Sequence, residues 1–103
     1  MAIPHDSREL PAVFERARAI RTLLTLLSSA DDGLDQLLVR IGGSKRTSMQ
    51  RIHEFVRLGL VVKTVHPEVA RKVIYRLTPD GKRIAEALKH AAEALEDGAG
   101  KRN

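Results

Sequence analysis

Two adjacent glycines, Gly42 and Gly43, stand directly before Ser44 and between two short apolar patterns of helical period. Glycine tolerates the positive φ angles with which a helix commonly ends, and serine is a favoured residue at a helix start. The three residues therefore predict a tight turn between two helices. No other stretch limits the possible folds so strongly.

The segments on either side of the turn predict one helix each. Asp35 is expected to cap the first helix, because its carboxylate can accept from the free N–H groups of the first turn. The buried stripe of this helix is expected to comprise Leu37, Leu38 and Ile41. Ser44 is expected to cap the second helix, which runs to about Leu58. Its inward-facing residues are Met49, Ile52, Phe55 and Val56.

An N-terminal helix is predicted before this pair. Pro11 suits its first turn, and small polar residues between Ser28 and Asp32 indicate its end. Spacings of three and four residues give it one apolar face. That face comprises Phe14, Ala17, Ile20, Leu24 and Leu27, bordered by Val13 and Leu23.

A hairpin and a last helix are predicted after the pair. Residues 60–65 and 72–77 are rich in β-branched residues and predict two strands. In the second strand, Val73, Tyr75 and Leu77 are expected to face one side, and Ile74 and Arg76 the other. Thr78, Pro79 and Asp80 supply the cap, proline and first-turn acid of a helix over about 79–96.

These elements predict a single domain that is mainly α, with a small β-hairpin. The domain is expected over residues 10–97 of the 103, between a flexible N-terminus at 1–9 and a flexible tail at 98–103. Aromatic residues make up only 3% of the chain, so the core must consist of aliphatic side chains. Base stacking on exposed rings is nearly excluded for the same reason.

Positive charge is concentrated in one third of the chain. Between Arg40 and Arg76 there are nine basic residues and two acids, which gives this segment +7 and leaves the remainder at −2. Such segregation favours a polyanionic partner. A charged helix face that only contacts solvent is the alternative for Arg46, Gln50 and Arg51.

The helix after the turn is predicted to be basic on its outer arc. A helix of this kind fits the major groove of B-DNA, where Arg can pair with guanine and Gln with adenine. Its candidate base-reading residues are Lys45, Arg46, Thr47, Gln50 and Arg51. The hydroxyls of Ser44 and Thr47 suit phosphate contacts. Arg57 is expected to contact phosphate or form a salt bridge, and Glu54 to pair with Arg57 or Arg51.

Residues 35–62 strongly resemble the helix-turn-helix of winged-helix regulators. Leu58-Gly59-Leu60-Val61 is similar to that family's step from the recognition helix into the wing. Residues 75–81, Tyr-Arg-Leu-Thr-Pro-Asp-Gly, look like the second wing strand and last-helix start of MarR- and PadR-type proteins. The resemblance covers about residues 12–96. Leu38, where the family more often has alanine, and the doubled glycine depart from its pattern.

The resemblance implies a winged helix-turn-helix with N- and C-terminal flanking helices, and it implies roles for the wing and the last helix. The wing, about 60–77, would contact DNA backbone or minor groove, and the terminal helices would form a homodimer. Its candidate DNA contacts are Lys63, His66, Arg71 and Lys72. The candidate dimer residues are Ile84, Leu88, Ala91, Ala92 and Leu95. Arg71 and Lys72 could instead be charges that prevent unwanted strand pairing.

Several other classes of protein are not favoured. The chain has no cysteine, and its four histidines, His5, His53, His66 and His90, are dispersed, so no metal site or cofactor is expected. No paired carboxylates, nucleophile–base pair or phosphate-binding glycine loop indicates an enzyme. Neither a signal peptide nor a membrane span is evident, so a soluble cytoplasmic protein is expected.

The sequence therefore predicts a sequence-specific, dimeric transcription regulator that binds double-stranded DNA. A winged-helix protein-interaction module and a non-specific chromosomal architectural protein are the alternatives. The operator, the regulated genes, the sign of regulation and a small-molecule effector are left open.

Overall fold

The computed structural model describes residue 16 and residues 18–29 and 31–101. Within these ranges the chain forms four helices and one antiparallel hairpin. The elements are α1 (Ala19–Ser28), α2 (Leu34–Ile41), α3 (Lys45–Arg57), β1 (Val61–Val65), β2 (Val73–Leu77) and α4 (Pro79–Lys101). The predicted architecture, mainly helical with a small hairpin wing, is confirmed. The predicted flexible N-terminus at 1–9 lies outside the described residues.

The core lies where α1, α2 and α3 meet. Leu23, Leu37, Ile41, Ile52 and Phe55 are fully buried there. Each such side chain contributes about 1.5–3 kcal/mol by leaving water. Further buried residues close the core from the hairpin and the last helix, and these are Leu60, Val61, Tyr75 and Ala85. The core is aliphatic, as the scarcity of aromatic residues predicts.

Helix α1 begins later than predicted, and it buries a different face. Arg18 has a φ of +66°, which is incompatible with a right-handed helix, so a continuous helix from Pro11 through this position is wrong. The predicted face at Ile20 is also wrong, because Ile20 is 42% exposed and the buried residues of α1 are Ala19, Thr22, Leu23 and Leu26. Leu27 packs at the edge of the core. Phe14 and Ala17 lie outside the described residues.

Helices α2 and α3 agree with the sequence except at one cap. The predicted stripe of α2 is buried, and α3 begins as predicted, with Ser44 Oγ accepting from the Thr47 amide at 3.3 Å. Asp35 is not the cap of α2. The helix already begins at Leu34, after Gly33, so the carboxylate lies inside the first turn.

The hairpin has a simple register in which Val61 pairs with Leu77 and Val65 with Val73. The neighbouring residues Ile74 and Tyr75 of β2 are both buried, although successive side chains of a strand point to opposite faces. The strand belongs to a two-stranded sheet, and α1, α2 and α4 all contact it. Both faces of β2 are therefore partly covered.

Helix α4 starts as predicted and ends later. Thr78 Oγ1 accepts from the Gly81 amide at 3.1 Å and donates to the Gly59 carbonyl at 2.7 Å. A Cβ at Gly81 would stand 1.9 Å from the Leu60 carbonyl oxygen, so only glycine permits this close approach. The helix extends to Lys101, five residues beyond its predicted end at about 96. Gly98 lies within this helix and does not end it.

Candidate nucleic-acid interface

Two arginines from the α1 region hold the turn between α2 and α3. Arg21 Nε donates to the Ile41 carbonyl at 2.6 Å, and Arg18 Nη1 donates to the same oxygen at 3.2 Å. This carbonyl is one of the free acceptors at the C-terminal end of α2, where a positive charge is favourable. The Arg18 guanidinium also lies against Gly43. The angle between α2 and α3 is thereby tied to α1.

The exposed face of α3 carries a straight polar stripe of Arg46, Gln50, His53 and Arg57. Their spacings of four, three and four residues keep them on one side of the helix. The stripe extends over about 16 Å at 1.5 Å per residue. His53 is a member that the sequence analysis did not select as a DNA contact. Its spacing of three from Gln50 is the signal that could have identified it.

The start of α3 lies next to this stripe. Lys45 is exposed and Thr47 is half-buried. Ser44 Oγ accepts from a backbone amide, which leaves its hydroxyl proton available for a further partner. The residues predicted at the helix start are therefore brought together at one end of the stripe.

Arg51 does not lie on the predicted outer arc. Its side chain is only 9% exposed, and its Nε lies 3.1 Å from Glu54 Oε1. Arg51 follows Arg46 by five residues, which rotates it away from the stripe toward the core. The predicted pairing of Glu54 with Arg51 is confirmed. Glu54 also pairs with Arg16, at 3.1 Å.

Pairing divides the basic residues of the charged segment into two groups. Arg40 pairs with Asp32 at 2.7 Å, Arg51 pairs with Glu54, and Arg76 pairs with Asp31. Among the described residues, no acid pairs with the other six basic side chains. These are Lys45, Arg46, Arg57, Lys63, Arg71 and Lys72. All six belong to the DNA contacts expected from the sequence and its family resemblance.

The wing presents its basic residues around a closed turn. The His66 amide donates to the Lys72 carbonyl at 2.7 Å, and the His66 ring accepts at Nδ1 from the amides of Glu68 and Val69. His66 therefore has a structural role in the turn, and its Nε2 atom is not used in these two bonds. Arg71 is exposed with a φ of +67°, and the Lys72 side chain passes close to Gly33.

An ion pair links the wing to the loop between α1 and α2. Arg76 on β2 donates to Asp31, and this hydrogen bond holds the pKa of the Asp31 carboxyl below its ordinary value of 3.8. The charges of Arg76 and Lys72 act in the same direction, and partial desolvation opposes them. The wing is therefore oriented by a contact outside the hairpin.

The residues predicted at a dimer interface are divided between the core and solvent. Ile84 and Leu88 pack partly against the core. Ala91 is exposed, Ala92 is half-buried, and Leu95 is 75% exposed. The outward edge of α4 is therefore apolar mainly beyond residue 88.

Sequence reasoning did not assign the roles of Arg16, Arg18 and Arg21. Only their position off the predicted apolar face of α1 was apparent, and no sequence pattern links them to a carbonyl or carboxylate twenty or more residues away. Among the described residues, no group of His, Asp and Glu could hold a metal ion. Of the helices described, none combines the length and apolar character needed to cross a membrane.

Several solved structures that are similar to this chain are transcription regulators. A MarR-family transcription regulator superposes with a TM-score of 0.73 at 23% identity, over 84% of this chain and 58% of its own. A MarR-family transcriptional regulator from Silicibacter pomeroyi gives 0.69 at 25% identity, over 82% and 59%. Streptococcus pneumoniae FabT, in complex with DNA, gives 0.72 at 16% identity, over 82% and 59%. The chain thus spans about three fifths of the length of these proteins.

A search of curated protein sequences found no match. The model of one protein family, described as HxlR-like helix-turn-helix, matches residues 20–101. The resemblance to winged-helix regulators of the MarR type is confirmed by the solved structures and by this match. Since the match covers most of the 103 residues, the chain belongs to the HxlR-like helix-turn-helix family.

Proposed function

We propose that this protein is a transcription regulator that binds double-stranded DNA sequence-specifically as a homodimer. The observation that carries the proposal is the division of the basic residues. Of the nine basic residues between Arg40 and Arg76, six lack an acidic partner within the described part of the chain, and all six lie on α3 or the wing. Unpaired cations can release counterions from DNA phosphates, whereas cations already paired gain less from doing so.

In this proposal α3 enters the major groove with its polar stripe toward the bases. Arg46 and Gln50 lie nearest the helix start, where side chains reach furthest into the groove. Arg46 would donate to guanine and Gln50 would pair with adenine. Lys45, Arg57 and the Ser44 and Thr47 hydroxyls would contact phosphates. Arg51 is left out of the base-reading set because it is buried against Glu54.

The wing would add contacts beside the groove. Lys63 and Arg71 are exposed and unpaired within the described residues, so they are available to the DNA backbone or minor groove. Lys72 would contribute from the base of the turn, and His66 through its second ring nitrogen. FabT, a protein of the same fold, has been solved in complex with DNA, which supports DNA as the partner.

A twofold dimer would place two copies of α3 about one helical turn of DNA apart. The proposed interface comprises the outward edge of α4, with Leu88, Ala91, Ala92 and Leu95, together with Ile20 on α1. Ile20 is 42% and Leu95 is 75% exposed in the single chain. Because α1 and α4 pack against each other, these residues can form one surface. Ile84 would support the interface from beneath.

Selection of duplexes from a random pool tests the function. The selected duplexes are compared with a random-sequence duplex in binding titrations at physiological salt. A specific regulator is expected to bind the selected site at least about a thousandfold more tightly, and the site should be a pseudo-palindrome. Tight binding without any preferred duplex would instead indicate an architectural protein. Absence of binding even at low salt would reject the DNA-binding proposal and favour a protein-interaction module.

A further inference from the structure

An arginine ahead of α1 reaches the recognition helix from outside the helix-turn-helix. Arg16 Nη1 lies 3.1 Å from Glu54 Oε2, although the two residues are far apart in sequence. The Glu54 side chain is 13% exposed, whereas the Arg16 side chain is 53% exposed. Glu54 is therefore largely covered, and much of the Arg16 side chain remains accessible.

Glu54 is the only acid of α3, and it stands between two arginines. An uncovered carboxylate on this helix would repel DNA phosphates, as Coulomb's law requires for like charges at short distance. The pairs with Arg16 and Arg51 neutralise it and leave the three residues with a net charge of +1. Because Arg51 is buried, Arg16 is the residue that presents this positive charge to solvent.

Arg16 also borders the polar stripe of α3. Together with Gln50, His53 and Arg57 it lines a cleft of about 280 Å³ alongside the helix. One wall of the cleft is thus the face proposed to enter the major groove. The other wall carries a guanidinium, which suits the phosphate oxygens of a strand that borders the groove.

We propose that Arg16 is a further DNA-backbone contact, held in place by Glu54 and extending the binding surface beyond the helix-turn-helix and wing. This inference rests on the proposed function, since it assumes that α3 occupies the groove. The Arg16 contact would be made with every duplex, because phosphates carry no sequence information.

Salt titrations in a matched background separate a phosphate contact from simple neutralisation of Glu54. In Glu54→Gln the negative charge is absent. If Arg16 only neutralised Glu54, its removal from this variant would not change the salt dependence of DNA binding. We expect Arg16→Ala with Glu54→Gln to lower the slope of log affinity against log salt by about 0.9 per protomer relative to Glu54→Gln alone. The loss should be equal on selected and random duplexes.

Arg83→Ala serves as the control, because Arg83 also pairs with a carboxylate but lies on α4. It should leave the salt slope unchanged. In the natural background, Arg16→Lys should keep the slope and Arg16→Ala should lower it, which gives a second comparison if Glu54→Gln does not fold. Circular dichroism verifies the fold of each variant.

Equal slopes for Glu54→Gln with and without Arg16→Ala would overturn the inference. If Glu54→Gln does not fold, equal slopes for the natural protein and Arg16→Ala would do so. In both cases steep salt dependence of the natural protein would leave the proposed function intact. Failure of the natural protein to bind any duplex at low salt would instead reject the proposed function itself.

Discussion

Gly43 combines two constraints at one residue. Its φ is +71°, and the Arg18 guanidinium occupies the space where a Cβ would stand, with atoms within 2.4–2.5 Å of that position. Gly59 has a similar φ of +78° but nothing within 4 Å of its Cβ position. The two glycines therefore separate the cost of backbone strain from the cost of displacing Arg18.

Gly43→Ala is expected to destabilise the protein more than Gly59→Ala. Positive φ costs an alanine about 1–2 kcal/mol at either position. At Gly43 the displaced arginine also loses its bond to the Ile41 carbonyl, which adds about 1 kcal/mol. Chemical denaturation measures both variants. In an Arg18→Ala background the difference should vanish, and equal costs in the natural background would contradict the role given to Arg18.

Arg51 and Arg46 are expected to respond in opposite ways. Arg51→Ala should lower the free energy of unfolding by about 2 kcal/mol, because it leaves a gap beside a largely buried carboxylate. Arg46→Ala should change stability by less than about 0.5 kcal/mol, as an exposed substitution does, yet weaken DNA binding. Thermal unfolding and binding titrations on both variants provide the test. An Arg51→Ala protein as stable as the natural one would show that the pair with Glu54 is unimportant.

At the scale of elements, the sequence predicted α2, α3 and the hairpin with boundaries within two residues. Two features could not be predicted from the apolar period. Arg18, the residue before α1, donates to a carbonyl twenty-three residues away, and the burial of both Ile74 and Tyr75 depends on helices that cover both faces of a two-stranded sheet. The apolar period of one element does not reveal contacts with other elements.

The ion pair of Arg76 with Asp31 links the wing to the rest of the domain, and it predicts that the stability of the fold depends on pH. The pKa of Asp31 is lowered in the folded protein, chiefly by its hydrogen bond from Arg76. Its contribution to stability is therefore fully present above the ordinary pKa of 3.8 and is lost as pH falls through the lower folded value. Both side chains are over two-fifths exposed, so solvent screening keeps the effect small.

Asp31→Asn should make the unfolding free energy less sensitive to pH below about 4. Denaturation curves of the two proteins between pH 5 and 2 test this. The natural protein is expected to lose stability more steeply over that interval. Parallel curves would show that the ion pair with Arg76 does not stabilise the fold.

At the scale of the whole molecule, the charge distribution identified the basic segment, but of its three ion pairs only that of Arg51 with Glu54 was predicted. The segment with +7 contains every unpaired basic residue of α3 and the wing. Arg51 was misplaced because arginine is usually exposed, and its burial depends on Glu54 and on the rotation of the helix. His53 and Arg16 were missed because neither forms a recognisable motif, and only the fold brings them to the same cleft.

The proposed dimer predicts a difference between two exposed apolar residues. Leu95→Lys should convert the dimer to a monomer, because it places a charge in the proposed apolar interface. Val39→Lys is the control, since Val39 is 71% exposed on α2, away from that interface. Sedimentation velocity measures the oligomeric state. A natural protein that is monomeric, or a Leu95→Lys variant that stays dimeric, would contradict the assignment.

The salt dependence of DNA binding tests the central claim, that unpaired basic residues of α3 contact DNA. Arg46→Ala with Arg57→Ala is compared with Arg40→Ala with Arg83→Ala, which removes the same charge from arginines paired with acids. The first pair should reduce the slope of log affinity against log salt and weaken binding strongly, and the second should leave the slope near that of the natural protein. Equal slopes for the two double variants would contradict the claim that α3 is the DNA-binding helix.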